Sequence, residues 1–194
     1  MKNTVTIIIE PFSLQWEKHF SSLQAYLLQY LENDILNIEH VGSTAVPGMS
    51  AKPVIDLDIV ISNDNTVMKR VIDKLEMLGY QHCGEMGISG REAFKRRSSK
   101  VRVTDSNKEW FKHHLYLCKE GSVGLRNHLA LKKHLLENPQ MVVEYSALKR
   151  ELAMKYPNDM EAYIEGKTEF ILNILKIEGL SGDDLDLIKK ENEM

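Results

Sequence analysis

The stretch Ile38-Glu-His-Val-Gly-Ser-Thr-Ala-Val-Pro-Gly-Met-Ser-Ala-Lys-Pro-Val-Ile-Asp-Leu-Asp-Ile-Val-Ile61 begins apolar, bends through Gly42-Ser43 and turns at Pro47-Gly48. It then re-enters a run with the character of a buried strand, and that run carries two acids, Asp56 and Asp58. Side chains alternate along a strand, so the two carboxylates share a face. A buried carboxylate is costly without a partner, and two side by side repel unless a cation lies between them. Mg²⁺ or Mn²⁺ is the economical cation, because such ions prefer oxygen ligands and are commonly shared with substrate phosphates. The Gly42-Ser43 bend fits the same chemistry: glycine lets backbone N–H groups approach a phosphate, and the Ser43 hydroxyl adds a donor.

Ser43 precedes Asp56 by thirteen positions, enough chain to leave one strand, turn and return on a neighbour. This spacing resembles the Gly-Ser…Asp-x-Asp pattern of the nucleotidyltransferase superfamily. The longer string, His40-Val-Gly-Ser-Thr-Ala-Val-Pro-Gly48 followed by Ala51-Lys-Pro-Val-Ile-Asp56, resembles the GrpB family, whose fold is similar to a minimal nucleotidyltransferase domain. The resemblance extends from about Pro11 to Leu175 through Gly90-Arg91, Asn138-Pro139, Tyr145-x-x-Leu-Lys149 and Tyr163-x-x-x-Lys167-x-x-Phe170. It departs at Leu131-Lys-Lys-His-Leu135, where the family's usual Phe-Arg-Asp-Tyr-Leu carries an acid in place of Lys133.

The resemblance implies a metal-dependent nucleotidyltransferase that acts with an NTP, or another nucleotide-containing small molecule, on a small acceptor. Asp56 and Asp58 would hold Mg²⁺ or Mn²⁺. Gly42, Ser43 and Thr44 would bind phosphates, and Lys52 and Arg91 would neutralise the leaving pyrophosphate. His114 matches the family's recurrent histidine. It stands where nucleotidyltransferases usually place a third acid, and is a candidate metal ligand or proton-transfer group. Imidazole suits Mn²⁺ or Zn²⁺ better than Mg²⁺, and a hydrogen-bonded core histidine is the alternative. His40 is expected to brace the loop. The competing function is a non-catalytic nucleotide- or CoA-binding or accessory module, since the family's domain also occurs fused to dephospho-CoA kinase.

Outward from this stretch, strand and helix signals alternate and predict an α/β domain with a mixed sheet over 1–120. Helices over 121–180 pack on it as part of one structural unit, and 181–194 is a polar tail, frayed or loosely docked as a helix. Val5–Ile9 reads as a short strand. Ser13 caps a helix to about Glu32 whose Trp16, Phe20, Leu23, Leu27 and Leu31 form one face,. That spacing supports a core role for Trp16 over base stacking. Strands follow at Ile35–Val41 and Val54–Ile61, then a helix from Asp64 to about Leu78 closed by Gly79. Tyr80–Gly90 reads as an irregular glycine loop. Arg91, Lys95, Arg96, Arg97, Lys100 and Arg102 form a basic strip, either a solvated hairpin or an anion-binding surface. Phe111–Cys118 is a strand with His114, Tyr116 and Cys118 on one face and His113, Leu115 and Leu117 on the other. Lys132, Lys149 and Lys167 lie on the later helices, either exposed or reaching back to phosphates.

Composition narrows the function. In 194 residues, 43% hydrophobic and 27% charged content is that of an ordinary globular domain,. A net charge of −3 argues against a global grip on long nucleic acid,. Cys83 and Cys118 make no C-x-x-C pair, which fits a reduced, cytoplasmic setting,. No run approaches the roughly 18 apolar residues of a membrane span.

Overall fold

The computed structural model of the chain describes residues 6–99 and 109–192. Its first helix, α1 (Leu14–Leu31), starts where Ser13 accepts a hydrogen bond from the Gln15 amide at 3.2 Å. The apolar face read from the sequence is the buried one: Trp16, Phe20, Leu23, Leu27 and Leu31. Strand β1 (Asn37–Val41) leads through the Gly42 bend and one 3₁₀ turn at Ser43–Ala45 into β2 (Ile55–Ile61). Helix α2 (Asn65–Met77) begins at Asp64, which caps it through the Thr66 amide at 2.7 Å.

Three more strands complete the sheet: β3 (Tyr80–His82), β4 (Arg91–Arg96) and β5 (His113–Lys119). The strand order is β1-β2-β5-β4-β3. β2 and β5 run parallel in register, Asp56 beside His114 and Asp58 beside Tyr116, while the other pairs are antiparallel. β2 thus lies inside the sheet and must bury both faces. Ile55, Leu57, Ile59 and Ile61 join Leu115 and Leu117 in the main core with α1 and α2. Each such side chain contributes roughly 1.5–3 kcal/mol by leaving water. Asp56, Asp58 and Val60 turn to the opposite face, where Val60 and Cys118 meet Leu125 of α3 (Val123–Glu137).

Helices α4 (Pro139–Lys155), α5 (Met160–Ile177) and α6 (Gly182–Asn192) complete the layer around α3. The sheet is therefore sandwiched between α1–α2 and the C-terminal helices. The segment read as a polar tail includes α6, which is held by Arg126–Asp184 at 2.9 Å and by Ile188.

Three expectations change. Residues 6–9 form no strand; the Ile7 amide donates to the Pro157 carbonyl at 2.8 Å, and Ile7 packs with Leu152 and Tyr163. The β-branched run covers the helical layer, leaving one bridge, Glu10 to Ala51, as its link toward β2. Val5 lies outside the described residues. The glycine loop opens with strand β3, paired antiparallel to β4. The basic strip is not one surface, because β4 has neighbours on both sides and alternation splits its charges. Arg91 is buried toward the α3 face, whereas Arg96 donates to the Trp110 and Phe111 carbonyls at 2.9 and 2.7 Å. Lys100 and Arg102 lie outside the described residues.

Candidate functional site

A cavity of about 610 Å³ opens between the Asp56 face of the sheet and the C-terminal helices. It brings together Gly42, Ser43, Thr44, Lys52, Asp56, Arg91 and His114, residues scattered over seventy-two positions of chain. Asp58 lies behind this wall at 0% exposure.

Gly42 adopts φ 69°, a conformation glycine reaches without strain,. A Cβ there would collide with Oδ2 of Asp56 and stand 3.1 Å from its Cβ. The sequence needs glycine at 42 because the Asp56 side chain packs directly against it. Thr44 turns inward: its hydroxyl meets His40 Nε2 at 3.0 Å, and it is buried. His40 stacks on Phe20 with ring centres 4.5 Å apart and braces the bend. Burial holds its pKa below the usual histidine range, against the pull of Glu17.

Each aspartate has a histidine. His114 Nδ1–H donates to Asp56 Oδ1 at 2.8 Å across the β2–β5 pairing. Asp56 keeps a 28% exposed side chain toward the cavity. Burial opposes its ionisation, but the hydrogen bond and charge of His114, helped by His128 and Lys52, outweigh it and lower the pKa. His128 Nδ1 lies 2.8 and 3.1 Å from the two oxygens of Asp58. Desolvation disfavours a charged His128, yet the Asp58 carboxylate wins and raises its pKa. His128 was not singled out from sequence. A usable signal existed: Gly124, His128 and Lys132 recur every four residues on one helix face, above a buried acid that requires a partner.

The facing wall is cationic. Lys149 is 2% exposed, donates to Ser43 Oγ at 2.9 Å and lies 4.5 Å from the Tyr145 ring centre. Lys167 and Lys52 flank the Tyr163 ring at 4.6 and 5.7 Å. Among the described residues no carboxylate forms an ion pair with any of these three lysines. Desolvation, then mutual repulsion, pushes Lys149 down to about 7 and Lys167 down to about 8. Burial also lowers Lys52, with Asp56 offsetting part of the effect. Lys132 does have a partner, Glu39 at 3.9 Å. Arg91 lies 4.9 Å from the Tyr116 ring centre, and Gly124 leaves room for its stem: a Cβ there would be 2.9 Å from Arg91 Cδ.

Oxygen donors suit Mg²⁺ or Mn²⁺, and such ions are often held by one or two carboxylates completed by substrate phosphate. Asp56 is open to that use; Asp58 already has His128 against both oxygens, and His114 has committed Nδ1 to Asp56. Among the described residues no three His, Cys, Asp or Glu side chains converge as a metal cluster. The donor set fits an ion that arrives with its phosphate and does not form a preassembled cage.

The fold and cavity define an α/β domain with a mixed five-stranded sheet whose acidic strand faces a lysine-lined helical layer. A family model, GrpB protein, matches residues 6–177, and the chain belongs to that family. It is 29% identical over 173 residues to the glutamate-rich protein GrpB of Alkalihalophilus pseudofirmus, covering 89% of this chain and 96% of that one. It is 31% identical over 170 residues to YqkA of Bacillus subtilis; the match covers 88% of this chain but spans only 46% of that relative. The crystal structure of conserved protein GrpB from Enterococcus faecalis superposes with a TM-score of 0.73 at 28% identity, covering 94% of this chain and 98% of the other. Among the described residues, no helix is long and apolar enough to cross a membrane.

Proposed function

We propose that the chain binds the polyphosphate of a nucleotide in the lysine-lined cavity and transfers the nucleotidyl group to a small acceptor. One observation carries the reading: Lys52, Lys149 and Lys167 are buried or half-buried in one cavity, opposite Asp56, and among the described residues none has a carboxylate partner. Unpaired buried cations are costly, and a multiply charged anion relieves that cost. In the reaction an acceptor hydroxyl oxygen attacks the α-phosphorus and gives its proton to solvent, the bond from that phosphorus to the α–β bridging oxygen breaks, and pyrophosphate leaves. The three lysines bind the phosphates, with Ser43 holding Lys149 in place. His114 fixes Asp56 through Oδ1 and leaves Oδ2 for a ligand. A divalent ion shared by Asp56 and the phosphates would supply charge neutralisation at the transferring group.

Thermal stabilisation by NTP with Mg²⁺ or Mn²⁺, and pyrophosphate release on adding candidate small acceptors, test the proposal. Asp56→Ala is expected to lower release by roughly a hundredfold or more, the scale of a misplaced catalytic constellation. Absence of both effects overturns the proposal. A second reading, a nucleotide or CoA binder without turnover, is favoured by the engagement of Asp58 with His128. Stabilisation without release supports that reading.

A further inference from the structure

Asn127, on α3, is 8% exposed and forms part of the cavity wall. Among the described residues its carboxamide has no hydrogen-bond partner. Its amide is not sealed from solvent as the Ser122 hydroxyl is, so the carboxamide reaches the open cavity, where a ligand can contact it. The site has room for more than phosphate: about 610 Å³ matches a drug-sized or nucleotide-sized molecule,.

The surroundings say which part of the ligand meets Asn127. Lys149 meets Ser43 and the Tyr145 ring. Asn127 instead stands beside Arg126, which pairs with Asp184 of α6, and one turn from Gly124, which packs on Arg91. Ile188 of α6 is 1% exposed and contributes to the same cavity, as do Leu131 and Ile171. These apolar side chains suit the flat face of a ring and offer no hydrogen bonds of their own. A carboxamide supplies a donor and an acceptor side by side, which is complementary to a nucleobase edge carrying the reverse pair. α6 also lies beyond residue 177, where the family match ends, so this part of the wall is additional to the matched region.

We propose that Asn127 reads the base edge of a nucleoside triphosphate in a pocket walled by Ile188, Leu131 and Ile171. This rests on the phosphate-binding reading above and adds the source of base selectivity. The test is calorimetric titration with ATP, GTP, CTP, UTP and inorganic tripolyphosphate, in wild type and Asn127→Ala. Expected for wild type is one base bound about tenfold or more tighter than the others, the discrimination a bidentate carboxamide contact supplies. In Asn127→Ala the ratio of each NTP affinity to the tripolyphosphate affinity should become nearly equal for all four bases. Ratios cancel any general loosening of the fold, and removing an unpartnered amide should leave the variant folded. Base preference retained in Asn127→Ala, or absent in wild type that binds tripolyphosphate, overturns this inference alone. Wild type that binds neither tripolyphosphate nor any NTP overturns it together with the phosphate reading.

Discussion

Replacing Lys149 with Met should stabilise the ligand-free protein, the reverse of the usual result for a core substitution. Lys149 is 2% exposed and burial pulls its pKa from the usual 10.5 down to about 7. At about 1.4 kcal/mol per pH unit, that gap is a penalty of at most about 5 kcal/mol at low pH. Solvent relaxation reduces it; taking half, and subtracting about 1 kcal/mol for the lost bond to Ser43, leaves a gain of about 1–2 kcal/mol. For a domain of this size the melting temperature should rise by about 2–8 °C. The sign with pH follows from proton binding. Between pH 7 and 10.5 the unfolded chain binds more protons than the native one, so wild-type stability climbs through that window,. The advantage of Lys149→Met should be greatest at or below pH 7 and shrink toward pH 10.5. Thermal melts from pH 6 to 10 read both effects. Tripolyphosphate should reverse the ranking, since it binds more tightly to, and so stabilises more, the protein that keeps all three lysines. A lower melting temperature for Lys149→Met at pH 6.5 without ligand, or an advantage independent of pH, would refute the reasoning.

Gly42→Ala should be strongly destabilising, because the new Cβ meets both φ 69° and the Asp56 side chain. A loss of about 1–3 kcal/mol in chemical denaturation is expected, recovered in part by pairing it with Asp56→Ala. Gly166→Ala should loosen the α4–α5 contact, where a Cβ would collide with Leu152 Cδ2 and lie 3.1 Å from Cδ1; a cost of about 1–3 kcal/mol in the same assay is expected. His128→Gln should cost more stability at pH 5.5 than at pH 8.5. The raised folded pKa of His128 gives stability that is complete below 6.5 and fades as pH climbs through the folded value,. Equal losses at the two pH values would show that Asp58 does not favour the protonated ring.

Local rules made the scaffold legible. The four- and three-residue steps from Trp16 to Leu31 identified the buried face of α1, and Asp64 and Gly79 marked the ends of α2. Alternation put Asp56 with Asp58 on one face of β2 and His114 with Tyr116 and Cys118 on one face of β5, and the strand pairing then sets Asp56 beside His114. Pairing between distant segments was not legible. Nothing local to Ile7 says that its amide would meet the Pro157 carbonyl and not a strand. The burial of Lys149 likewise depends on α4 lying over Ser43, 106 positions away in the chain.

The same limit explains the carboxylates. Two acids on one face of a buried strand require positive charge or strong donors, and the requirement follows from sequence alone. The identity of the donor does not, because a divalent ion, an imidazole and an ammonium group satisfy the same electrostatics. Here His128 meets Asp58 from α3, seventy positions on, and His114 meets Asp56 from the neighbouring strand. The two aspartates are therefore unequal. Asp58 is sealed at 0% exposure by a partner that gains charge from it, whereas Asp56 keeps an open edge toward the lysines. Exchanging each in turn should separate their roles. Asp58→Asn should act first on stability and its pH dependence, and Asp56→Asn on the affinity for metal-bound NTP measured against tripolyphosphate in chelator. Equal effects of both substitutions on both measurements would mean that the two carboxylates serve one shared ion after all.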